Sequence, residues 1–173
     1  MHPPQPARPS PETSDASHTE LTAELAALLA DERDWLVNLA NTAALLMTRL
    51  PDLNWAGFYL WRDDQLVLGP FQGKPACTRI ARGRGVCGAA AARRETIVVP
   101  DVHDFPGHIA CDSASRSEIV VPLSLAGLQL GVLDLDSPTP GRFDLRDRAD
   151  LERVAATLAA ACDWPRWIGD PPA

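Results

Sequence analysis

Two runs, Glu118 to Leu125 and Leu128 to Asp136, are apolar at most positions and are joined by only Ala126 and Gly127. Runs of this kind across so short a connection pair as an antiparallel hairpin. Ile119 and Leu133 lie on one parity and Val120 and Val132 on the other, so both faces of the hairpin must be covered. Gly127 suits the left-handed last position of a three-residue loop, Leu125 to Gly127, which pairs Ser124 with Leu128. Counting back in that register sets Glu118 opposite Asp134, and side-chain alternation puts Asp136 on the same face. Three carboxylates are therefore expected to converge. A two-residue loop shifts the register by one and sends Glu118 to the other face.

The rest of the chain supplies an α+β frame around this hairpin. Residues 1 to 16 carry Pro3, Pro4, Pro6, Pro9 and Pro11 among polar residues, too little apolar area to order them, and read as a disordered tail. Ser17 with Glu20 forms a capping-box pattern. From Leu21 through Leu25, Leu28, Leu36, Leu39, Ala43 and Met47 to Leu50 the spacing is helical, as one long helix or as two with a break near Asp31 to Asp34. NWAGFYLW and QLVLGPF flank the short polar connection Arg62 to Asp64 and form a second hairpin.

A short strand around Cys77 to Ile80, a helix opening after Gly83 and Gly85, and a strand at Thr96 to Pro100 follow. The glycines lack the spacing of a dinucleotide loop. Asp144 with Asp147 caps a last helix carrying Leu151, Val154, Leu158 and Ala161. Residues 164–173, with three prolines, read as an irregular tail on which Trp164 and Trp167 dock somewhere. At 173 residues, one domain over 17–163 is the expectation.

A net charge of −7 argues against a protein that grips phosphate backbones, so nucleic acid is not an expected partner. The apolar stretches fall short of the roughly 18 residues that span a bilayer, and the N-terminus lacks a signal pattern. A soluble, cytoplasmic protein without a membrane partner is the reading. Four cysteines, Cys77, Cys87, Cys111 and Cys162, are too few to staple this chain, and the cytoplasm keeps thiols reduced. The default role of each is a buried, inert side chain. Cys162, four residues after Leu158 on a helical face, fits it best.

Cys111 fits it least. The stretch His103 to Pro122 collects two histidines, three carboxylates and an arginine around turn-forming Pro106-Gly107 and Asp112, Ser113 and Ser115. A cysteine on a polar loop has a thiolate fraction tuned by neighbouring charges and N–H groups. Cys87 falls in the first turn of its helix, where the dipole favours an anion. Trp55, Phe58 and Tyr59 read as core or sheet-face residues, of which one or two can wall a small-molecule pocket.

Carboxylates inside an apolar strand are costly unless paired or solvated. VLDLDS ends near Ser137-Pro138, where solvation explains it; a pocket that binds a cation or delivers a proton explains it equally. Converging carboxylates repel, so at least one holds its proton near neutral pH and can act as an acid. Beside a loop cysteine, such a pocket suits thiolate attack on a sulfoxide, which must be protonated on oxygen. Attack releases the thioether and leaves a sulfenic acid. A second cysteine, Cys77 or Cys87, then condenses with it to a disulfide that an external dithiol reopens. The rival for these residues is zinc on Cys77, Cys87, Cys111 and His103 or His108, although the C-x2-4-C knuckles of structural zinc are missing.

At NWAGFYL, GKPACTRIARGRGVCG, VPDVHDFPGHIACDSASRSEIVVPL and GVLDLDSP the chain closely resembles the free methionine-(R)-sulfoxide reductases, a family of stand-alone GAF-domain enzymes. The resemblance implies a central antiparallel sheet flanked by helices, with the terminal helices together on one side. It implies Cys111 as nucleophile, Cys77 as the main resolving partner and Cys87 as a second redox cysteine. Glu118, Asp134 and Asp136 would hold the substrate ammonium and polarise or protonate the sulfoxide oxygen. Trp55 and Tyr59 would wall the methylthio end, and loop N–H groups near Ile109 to Ser115 would take the carboxylate. No bound cofactor or metal is implied; thioredoxin or a similar dithiol is the reductant, and a homodimer is expected because GAF domains often pair through terminal helices. The second reading is a GAF sensor that binds a small ligand or reports redox state without turnover.

Overall fold

The computed structural model describes residues 11–108 and 112–169. In chain order it contains α1 (Pro11–Leu29), α2 (Trp35–Arg49), β1 (Trp55–Arg62), β2 (Gln65–Gly73), β3 (Arg79–Ala81), α3 (Gly85–Arg93), β4 (Ile97–Val99), a single 3-10 turn (Val102–Asp104), β5 (Ser117–Leu125), β6 (Leu128–Ser137) and α4 (Leu145–Ala161). The strands form one sheet in the order β3-β2-β1-β6-β5-β4, every neighbouring pair antiparallel.

Period-2 alternation sorts the core into two layers. Ala56, Phe58 and Leu60 of β1, Ile119, Val121 and Leu123 of β5, and Leu133 and Leu135 of β6 pack against the apolar stripes of α1, α2 and α4. The other parity, Trp55, Tyr59, Trp61, Val120 and Val132, faces Val86, Cys87, Ala90 and Ala91 of α3. Each aliphatic side chain so buried contributes about 1.5–3 kcal/mol, which is why neither face is left to water. The helices near both termini do lie together on one side.

The break between the first two helices falls where the charged run allowed it. Asp34 caps α2, its Oδ1 accepting from the N–H groups of Leu36 (2.8 Å) and Val37 (3.3 Å). α1 takes in both Ser17 and Glu20, so the capping-box pattern there does not mark its start. Residues 1–10, most of the expected tail, lie outside the described residues. The Asp144–Asp147 capping box opens α4 as expected. After α4, Trp164 stacks on Trp35, Trp167 meets Trp35 edge-on, and Ile168 enters the core. Among the described residues no helix is long and apolar enough to cross a membrane.

The β5–β6 register differs from the expected one. Leu125 pairs with Leu128, so the loop is the two residues Ala126 and Gly127, at φ 49° and 83°. Both residues are left-handed, the geometry of the tight hairpin turn whose twist matches the strands. A two-residue loop alone would have turned Glu118 to the other face. One extra residue on β6 then intervenes, because Ser124 pairs with Gln129 but Leu123 with Gly131. That bulge restores the parity, and Glu118 pairs with Asp136 rather than Asp134. The three carboxylates share a face as expected, in a register displaced by two residues.

Candidate active site

Asp134 and Asp136 project from β6, and Glu118 from β5, on the face that α3 covers. Asp134 and Glu118 are each only 6% exposed. α3 is rich in alanine and packs closely, setting the Cys87 Sγ 3.2 Å from Asp134 Oδ2, to which the thiol donates. Ligating atoms of Cys87, Glu118 and Asp134 lie within 4.8 Å of one another. His108 Nε2 stands 3.6 Å from Glu118 Oε2. Asp134 Oδ1 is buried and finds no N–H donor among the described residues.

Burial pushes all three carboxyls well above the usual carboxylate range. Repulsion adds to it: Asp136 acts on Glu118, Glu118 on Asp134, and Asp134 with Asp112 on Asp136. Glu118 and Asp134 also share a hydrogen bond, which requires one of the two to keep its proton. Burial lowers His108, so its imidazole stands neutral beside them.

Cys87 departs from its expected character. It does sit in the first turn of α3, but burial and then the charges of Asp134 and Glu118 raise its pKa well above that of an ordinary thiol. A helix N-terminus favours an anion by roughly 0.3–1 kcal/mol, whereas full burial shifts a group by up to about 3–5 pKa units. The dipole loses, and Cys87 is a thiol here.

On the same sheet face, beside Asp136 with which Trp55 pairs across β1 and β6, Trp55 and Tyr59 stack with centroids 5.9 Å apart, and Phe71 stacks on Trp55 at 5.3 Å. Trp55, Tyr59, Cys87, Glu118, Asp134 and Asp136 line one pocket that opens to solvent. The pocket thus sets aromatic rings next to an acidic cluster. It suits a small molecule with an apolar end, a cation and an oxygen that takes a proton.

Cys111, with Ile109 and Ala110, lies outside the described residues. Its chain neighbour Asp112 borders the pocket, as does His108. Cys77, half-buried, follows Pro75 and Ala76, which line the pocket, and packs against the α3-side core. Of the zinc ligands weighed above, His103 is turned away, its Nδ1 2.8 Å from Asp101 Oδ1 on an exposed surface. The trio Cys87, Glu118 and Asp134 has the spacing to share a cation, provided that Cys87 loses its proton. Asn54, whose Nδ2 donates to Asp112 Oδ2 (3.2 Å) and Ser115 Oγ (3.0 Å), was not foreseen, and nothing in its sequence context distinguishes it except its place before Trp55. His108 was foreseen only as a zinc ligand.

The GAF domain family model matches residues 19–162. The Escherichia coli protein named free methionine-R-sulfoxide reductase is 55% identical over 141 residues, 82% of this chain and 86% of that protein. A Saccharomyces cerevisiae protein of the same name is 46% identical over 137 residues, 75% of this chain and 76% of the other. The solved Neisseria meningitidis free methionine-R-sulfoxide reductase, in complex with its substrate, superposes with a TM-score of 0.83 at 47% identity. That match covers 93% of this chain and 95% of the other.

Proposed function

The chain belongs to the free methionine-R-sulfoxide reductases, enzymes of GAF fold, and from that premise we propose that it reduces the free amino acid methionine (R)-sulfoxide to methionine with a cysteine thiolate. The observation that carries this reading is the pairing of three carboxyls with raised pKa, Glu118 and Asp134 buried and Asp136 half-buried, with the aromatic rings of Trp55 and Tyr59 in one pocket. The substrate ammonium lies against Glu118, Asp134 and Asp136, where its charge offsets their repulsion. The methylthio end lies on Trp55 and Tyr59, and the carboxylate takes N–H groups of the loop near Ile109 to Ser115.

In the reaction, a carboxyl of the cluster hands its proton to the sulfoxide oxygen while the Cys111 thiolate attacks sulfur. Attack forms a bond from Cys111 Sγ to the substrate sulfur; the protonated oxygen then passes from that sulfur to Sγ as this bond breaks, so methionine leaves as the thioether and Cys111 is left as a sulfenic acid. Cys77 attacks that sulfenic acid, releasing water and forming a disulfide, which thioredoxin or a similar dithiol reopens. Cys87 acts as the second redox cysteine. Its raised pKa leaves little thiolate near neutral pH, which supports Cys77 as the main resolving partner. Reduced thiols of this kind belong to the cytoplasm. A homodimer is supported by exposed apolar side chains at one end of the helical layer, Leu36, Val37 and Trp167.

Recognition of the ammonium has a direct test: kinetics with free and N-acetylated methionine (R)-sulfoxide. Acetylation removes the charge and leaves the acidic wall unpaired, so kcat/KM should fall on the order of a hundredfold. Equal rates would rule out the carboxylates as the ammonium site.

A further inference from the structure

We propose that Cys87, Glu118 and Asp134 form a binding site for a borderline divalent cation of the zinc type, which competes there with the substrate ammonium. The competition rests on the functional reading above; the metal site does not.

The three ligands come from three firmly packed elements. Cys87 lies in the first turn of α3, which is pressed against β3: an added Cβ at Gly88 would lie 2.5 Å from the Ala81 carbonyl oxygen. Glu118 and Asp134 are diagonal neighbours on β5 and β6, since Glu118 pairs with Asp136 and Asp134 with Val120. From these positions the Cys87 Sγ and one oxygen of each carboxyl lie within 4.8 Å of one another, with Sγ 3.2 Å from Asp134 Oδ2. Zinc bonds of about 2.0–2.3 Å in a tetrahedron set ligand atoms about 3.4–3.6 Å apart, so side-chain adjustments of roughly 1 Å close the trio on an ion.

The polar groups around the trio leave room for a cation to bond. Asp134 is 6% exposed and lines the pocket, yet its Oδ1 has no hydrogen-bond partner among the described residues. Buried carboxylates are ordinarily paired or bound to metal. Among the described residues, the ion pair that reaches the trio is that of His108, whose Nε2 is 3.6 Å from Glu118 Oε2. Burial keeps that imidazole neutral, so it supplies no charge, and a neutral imidazole is itself a metal ligand. His108 also lines the pocket, and the fourth coordination position opens on that side. A thiolate with two carboxylates selects a borderline ion over magnesium or calcium, which take oxygen ligands. On binding, the Cys87 proton and the proton shared by Glu118 and Asp134 pass to solvent. Repulsion between the two carboxylates is then replaced by attraction of both to one ion. An ammonium seated on the same carboxylates would be displaced.

The test titrates the reduced full-length protein with Co2+, whose thiolate complexes show a sulfur-to-metal charge-transfer band, and displaces the cobalt with Zn2+. The band should appear in wild type and, with the same affinity, in the double variant Cys77→Ser/Cys111→Ser. Loss of a group that merely orients a metal ligand costs about 10–100-fold in affinity, so Cys87→Ser and Asp134→Asn should each weaken binding by about a hundredfold or more. Circular dichroism identifies a variant that has not folded, and Asp134→Asn keeps the side-chain shape if Cys87→Ser fails. Added methionine should raise the apparent Kd for cobalt. No charge-transfer band in wild type, a band that survives Cys87→Ser, or one lost in Cys77→Ser/Cys111→Ser, overturns the site. Cobalt binding that methionine leaves unchanged overturns the competition. Turnover of methionine (R)-sulfoxide by the metal-free protein, measured alongside, tests the functional reading separately: its absence beside an intact cobalt site would contradict that reading and leave the metal site standing.

Discussion

Replacing Asp134 by Asn should stabilise the ligand-free protein above neutral pH while it disables the reaction. Burial and Glu118 raise the folded-state pKa of Asp134 well above its unfolded value near 3.8. The stability tied to that proton is complete below the unfolded value and is lost as pH rises through the folded one. Wild type should therefore be less stable at pH 8 than at pH 5. Each unit of elevation is worth about 1.4 kcal/mol. Asn keeps the shape and can still accept from Cys87 and donate to Glu118, but it ends one charge repulsion and forfeits the shared proton. A net gain of about 2 kcal/mol at pH 8 follows, or about 4–8 °C at the 2–4 °C per kcal/mol of a chain this size. Thermal melts of both proteins from pH 5 to 8.5, without substrate, measure it. The variant should be higher and flatter above pH 7, and the two curves should approach one another toward pH 5. A variant that melts below wild type at pH 8, or shares its slope, refutes the repulsion argument.

Three further predictions concern the frame. An added Cβ at Gly131 would lie 2.1 Å from the Tyr59 carbonyl oxygen, so Gly131→Ala should cost about 3 kcal/mol or more, read as a lower urea midpoint. Ala126 holds φ 49°, which Asn tolerates better, so Ala126→Asn should gain about 0.5–1 kcal/mol in the same assay without altering turnover. Asp144→Ala removes the acceptor for the Arg146 and Asp147 N–H groups and should cost about 1–2 kcal/mol near neutral pH. Those bonds hold Asp144 below its ordinary value. Wild type alone should therefore lose this contribution as pH falls through the lowered value, and the deficit should shrink in acid.

The two-faced sheet was legible because alternation in β1, in β5 and in β6 beyond its bulge gives each parity its own apolar set. The acidic face was legible for the same reason. Its register was not, for two compensating causes. Ala126 adopts a left-handed conformation that residue type does not advertise, and the bulge beside Gly131 depends on β6 approaching Tyr59. The same limit applies to Cys87: helix position alone points to a thiolate, and only the tertiary packing of α3 over Asp134 makes it a thiol. Asn54 gave no signal, since its partners Asp112 and Ser115 come from about 60 residues along the chain.

The central claim is that a thiolate on Cys111 reduces one epimer of a free amino acid in this pocket. It is tested most directly by incubating the purified protein with dithiothreitol and, separately, the R and S epimers of free methionine sulfoxide, and quantifying methionine for wild type and Cys111→Ser. Methionine from the R epimer alone, abolished by the substitution, is the predicted result. Methionine from neither epimer with folded, reduced protein, or undiminished turnover by Cys111→Ser, would contradict it.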